Sequence, residues 1–140
     1  MLPAMINDRA SSVQVLVAAP PPPPVAPVHT QGTLALPATR RANMDTGTLG
    51  GPGADILYRN IASGRFLTPL NGARLARGAG TNRGFVGCSG ETWSGAPLPF
   101  AALSVGTYVC LRTDQGRIGQ FRVTSQAGLT MTIQYTIWAN

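Results

Sequence analysis

A chain of 140 residues carrying a formal net charge of +6 is about one domain long and basic enough to suit an anionic partner. Only 11% of its residues are charged, while 17 glycines and 12 prolines punctuate it, which argues against a helical bundle and for a loop-rich β protein. No stretch approaches the roughly 18 apolar residues of a membrane span, and one histidine with two cysteines outside any CxxC pattern gives no zinc site, so neither a metal nor a cofactor is expected.

Residues 1–19 (MLPAMINDRASSVQVLVAA) make a poor export leader: the apolar run at 13–19 is short, Asp8 precedes Arg9, and cleavage after Ala19 would expose Pro20. The five prolines at 20–24 predict an extended polyproline II spacer. His29 falls in a polar stretch and is expected to be solvated. Residues 33–37 (TLALP) predict a short edge strand ending at its proline. Residues 1–43 therefore read as a flexible or extended, proline-rich arm, and residues 44–140 as a small all-β domain. A domain of roughly 100 residues benefits from a covalent staple.

Asp45-Thr46-Gly47 invites an aspartic protease reading, in which a carboxylate on a tight turn shares a proton with a like partner. The following TLGGPG lacks the small residue leading back into a strand, so the stretch reads as a glycine-rich loop. Residues 55–60 (DILYRN) and 65–70 (RFLTPL) predict short strands joined across 61–64, and Asn71-Gly72 marks a tight turn. Residues 73–78 are too short for a durable helix. Residues 84–88 (GFVGC) predict a strand leading to Cys88, and Trp93 sits in a polar loop beyond it. That tryptophan either folds back over a core edge or offers a sugar-stacking platform. Asp55 with Glu91 is the one carboxylate pair worth naming for acid/base chemistry, and no catalytic residue is expected.

Cys88 and Cys110 are compatible with one bridge or with two buried thiols. The small domain favours the bridge, which would close a loop of about 23 residues, contribute roughly 3 kcal/mol, and imply an oxidising compartment.

Residues 105–138 (VGTYVCLRTDQGRIGQFRVTSQAGLTMTIQYTIW) carry the clearest pattern. Val, Ile, Thr, Tyr and Phe alternate at period two between turn clusters, predicting a C-terminal meander of three antiparallel strands. With Asp114-Gln115-Gly116 as a three-residue loop, Val109 opposes Phe121 and Thr107 opposes Val123. The apolar side of the third strand joins that face only if the next loop is odd in length, which predicts that Val123 pairs with Leu129. The other face then collects Tyr108, Arg112, Ile118, Gln120, Arg122, Thr130, Thr132 and Gln134, with Cys110 among them. Such a face is either ordinary solvated surface or, given its Arg and Tyr, a recognition surface for carboxylates, sugars or phosphates.

The run from Gly106 through Cys110 to Thr113, then Gly116-Arg117, Phe121-Arg122-Val123 and the final strand, resembles a β-rich module of bacterial secreted or extracytoplasmic proteins, sometimes the outer part of membrane-anchored signalling proteins. Asp45-Thr46-Gly47, Gly53-Ala54-Asp55 and Leu70-Asn71-Gly72-Ala73 resemble upstream elements of the same module. The resemblance implies a secreted or surface location and a paired Cys88 and Cys110, and supplies no catalytic residue.

The resulting expectation is a small antiparallel sandwich or barrel-like sheet, non-enzymatic and extracytoplasmic. It would bind through Tyr108, Arg112, Gln120, Arg122 and Trp93, with an anionic glycan or cell-surface polymer as partner. Nucleic acid fits less well, because the arginines are scattered and the aromatics few. The rival expectation is a structural subunit of a surface layer, appendage or particle, whose arm joins neighbouring copies by adding to a sheet edge.

Overall fold

The computed structural model describes residues 26–76 and 79–139, so the polyproline run and the leader-like stretch lie outside the described residues. The chain forms two five-stranded antiparallel sheets. The first comprises β1 (Val28–Pro37), β6 (Arg74–Leu75), β8 (Tyr108–Arg112), β9 (Ile118–Ala127) and β10 (Thr130–Trp138), in the order β1-β10-β9-β8-β6. The second comprises β2 (Arg41–Asn43), β3 (Thr48–Leu49), β4 (Ile56–Ile61), β5 (Gly64–Pro69) and β7 (Leu98–Pro99), in the order β3-β2-β4-β5-β7. One short helix, α1 (Gly84–Ser89), and a single 3-10 turn (Phe100–Ala102) complete the described fold.

The core lies between the sheets because period-two alternation turns one side of each inward. Val109 and Leu111 of β8, Phe121 and Val123 of β9, and Met131, Ile133, Tyr135 and Ile137 of β10 meet Ala42, Ile56, Tyr58 and Leu67 of the second sheet. Tyr58 stacks on Phe100 with ring centroids 4.3 Å apart, which seats the 3-10 turn on the same core. No described helix is long and apolar enough to cross a membrane.

The meander forms as its alternation predicts, with Val109 opposite Phe121 and the first loop closed by Thr113 N–H to Arg117 C=O at 2.8 Å. Gly116 takes the left-handed φ of 81° which that loop requires. The expected pairing of Val123 with Leu129 is not found. Val123 faces Ile133, and β9 runs on to Ala127, which faces Thr130 across a tight turn at Gly128-Leu129. With every residue in the ladder, so short a turn would set Phe121 against Thr136 and the core side chains against water. A register shift at Thr124 corrects this: the extra residue of a bulge restores the parity that the apolar pattern demands.

Two further expectations are corrected. Residues 28–43, assigned to the arm, lie inside the fold: β1 is ten residues long and pairs with β10 from Val28 to Pro37. Its polar outer side chains hide it from a hydrophobicity reading, because on an edge only the ladder and alternate inner residues such as Leu36 hold it. Residues 84–88 form α1 rather than a strand. Both edges of β8 are taken by β9 and β6, so a segment tied to Cys110 finds no free edge. It lies over the sheet face and satisfies its own backbone, with Gly87 N–H donating to Arg83 C=O at 3.1 Å. The tie is a disulfide between Cys88 and Cys110, both fully buried. Asn71-Gly72 turns as expected, both residues having positive φ (54° and 87°).

Candidate functional site

The outer face of the first sheet carries a cleft of about 460 Å³. Its floor consists of two adjacent cross-strand rows. One runs Tyr108, Arg122, Gln134, Thr33, and the next runs Gln120, Thr136, Gln31. Neighbouring strands lie about 4.8 Å apart, so four of them give a floor roughly 14 Å wide. The Arg122 guanidinium lies 5.7 Å from the centroid of the Tyr108 ring, a spacing that favours cation–π attraction and holds the charge toward the cleft. Gln134, Gln31 and Thr33 are exposed and offer donors and acceptors in rank.

One wall is the loop ahead of α1. Gln120 is 7% exposed and spends its amide on this wall, its Oε1 accepting from Arg83 N–H at 2.9 Å and its Nε2 donating to Asn82 Oδ1 at 2.7 Å. It shapes the cleft rather than greeting a ligand. Arg83 is tied down as well, donating to Tyr108 C=O at 2.8 Å and pairing with Glu91 at 3.2 Å. The disulfide and α1 thus cover the middle of this face.

Of the five residues singled out in the sequence, Tyr108, Gln120 and Arg122 come together in the cleft. Arg112 stands at the far end of β8, opposite Arg74 and Ile118, and does not line it. Trp93 packs half-buried against the cluster of Ala76, Cys88 and Cys110, covering the disulfide as a core-edge tryptophan would. Asp55 and Glu91 do not pair: Glu91 meets Arg83, and Asp55 joins two other aspartates.

Sequence reading missed two groupings. On the outer face of the second sheet a cleft of about 470 Å³ brings Arg59 to the adjacent pair Arg40-Arg41, a proximity that the distance along the chain hides. Between the sheets, Asp45 of the β2–β3 turn, Asp55 just ahead of β4 and Asp114 of the β8–β9 turn each bring one carboxylate oxygen to within 4.8 Å of the other two. Asp55 is fully buried and accepts from two backbone N–H groups, Met44 to Oδ2 and Asp114 to Oδ1, each at 2.7 Å. Burial pushes its carboxyl up to about 7, against the pull of those two bonds. Burial also raises Asp45, opposed by Arg117, whose guanidinium lies 3.0 Å from Oδ1. The signal open to a reader was that each of the three aspartates adjoins a glycine-marked turn: Asp45-Thr-Gly, Gly-Ala-Asp55 and Asp114-Gln-Gly.

Comparison with known proteins finds no family model that matches the chain, and no curated protein or solved structure that matches it either.

Proposed function

We propose that the chain is a non-enzymatic binding module of the extracytoplasmic space, taking a segment of an anionic glycan or similar cell-surface polymer into the cleft of the first sheet. One observation carries the reading. The cleft presents a guanidinium set by an aromatic ring, beside ranked amide and hydroxyl side chains, and among the described residues no carboxylate or histidine lines it. Fixed donors and acceptors around one cation suit a hydroxyl-rich ligand bearing carboxylates, and such a lining has no acid/base pair for turnover. The buried disulfide supports residence in an oxidising compartment.

The test is titration of uronic-acid oligosaccharides into the purified protein by calorimetry. Arg122→Ala is expected to weaken binding at least tenfold, about 1.4 kcal/mol, with the melting point unchanged. If Arg59→Ala weakens binding while Arg122→Ala does not, the ligand belongs to the arginine cleft of the second sheet and this assignment fails. A second reading has its own observation. β1 is a ten-residue edge strand whose outer side has no partner among the described residues, and such an edge can accept a strand from another copy. Light scattering that finds an assembly in the full chain and a monomer without residues 1–25 would favour the subunit role.

A further inference from the structure

The chain has only five carboxylates against eleven arginines, yet three of those carboxylates converge on one point. Arg117 reaches only Asp45 Oδ1. Both oxygens of Asp55 hold backbone N–H groups. Two buried oxygens of the cluster have no hydrogen-bond partner: Asp45 Oδ2, on a side chain only 7% exposed, and Asp114 Oδ1. Buried acceptors without donors are uncommon, and each calls for a specific explanation. Three carboxylates against one guanidinium leave two negative charges, the charge of one divalent ion.

We propose that Asp45, Asp55 and Asp114 bind a single hard divalent cation, calcium before magnesium. All three ligands are hard oxygens, and calcium accepts the irregular shell that turns from two different sheets would supply, whereas magnesium demands a near-ideal octahedron. Asp114 is only partly buried, which leaves the cluster a side open to solvent. Bound there, the ion ties the β8–β9 turn of the first sheet to the β2–β4 turns of the second, adding to the existing Asp114 N–H to Asp55 bond. The same burial that raises Asp45 and Asp55 in the ion-free chain would be offset by the ion's charge.

The experiment uses the full chain stripped with a chelator at about pH 8. Calcium is titrated by calorimetry and the melting point is followed, with sodium chloride matching ionic strength. A saturable heat for one ion, a dissociation constant of about 0.1–1 mM, and a melting point raised by at least about 5 °C in about 10 mM calcium are expected. Asp114→Asn, on the partly exposed turn, should keep the fold and weaken binding at least tenfold. No heat and no shift in the wild type would overturn the proposal and leave the orphan oxygens to a shared proton. An equal shift in Asp114→Asn would overturn it too, since binding would then lie elsewhere, and a response to magnesium but not calcium would reject the assigned ion.

Discussion

The first sheet runs on strands of up to ten residues, whereas no strand of the second exceeds six and two of its five are only two residues long. Long strands hold by repetition: every second pair in the β1-β10-β9 ladder adds inner side chains to the core, and no single contact is decisive. The short strands of the second sheet gain little from their own ladders. They are positioned by turns and by the Asp55 carboxylate, which collects Met44 from β2's end and Asp114 from the other sheet. Repetition tolerates substitution, while a point of convergence does not.

The largest expected effect tests that contrast directly. Asp55→Ala leaves one buried and one partly buried N–H group unpaired and should cost about 3 kcal/mol, against about 1 kcal/mol for Ile133→Val in the middle of the first sheet. Chemical denaturation of both variants decides it, and a reversed order would mean that the second sheet is held by packing after all.

A smaller effect concerns pH in the chelated, ion-free protein. Asp55 is raised from 3.8 to about 7 by burial, with Asp45 and Asp114 beside it and Arg117 on the far carboxylate of Asp45. The folded chain therefore binds this proton more tightly than the unfolded one. The contribution is fully present below about pH 4 and lost as pH rises through about 7. Melting points taken across that window should fall with pH, and calcium should flatten the slope. A curve that rises through the window would reject the buried, raised carboxyl.

The smallest effect belongs to the first sheet. Deleting Thr124 removes the bulge but keeps Val123 opposite Ile133 and Ser125 opposite Thr132, so the inner face is preserved. The cost should be under about 1 kcal/mol, within the range of surface changes. Loss of folding would show that the bulge sets more than register.

Much of the first sheet was legible because its determinants are local. The alternation in residues 105–138, the Asp114-Gln115-Gly116 loop and the Asn71-Gly72 turn each specify conformation within a few residues. The face shared by Tyr108, Gln120 and Arg122 followed from period two alone. The pairing of Val123 was misjudged because a bulge and an odd loop satisfy the same parity, and only the finished ladder distinguishes them. β1 was cut short because its outer residues, among them His29, Gln31 and Thr33, face solvent and read as linker.

Composition and periodicity by themselves determined an all-β chain with a C-terminal meander, a polar Arg and Tyr face, and two cysteines suited to a staple. Tertiary structure alone decided that α1 would cover the middle of that face, that Arg59 would join Arg40 and Arg41 in a cleft, and that Asp45, Asp55 and Asp114 would meet. The physical reason is range: strand and turn preferences act between neighbours along the chain, whereas the aspartates are up to 69 positions apart and became neighbours only when the two sheets packed, burying charge that water would otherwise have kept separate.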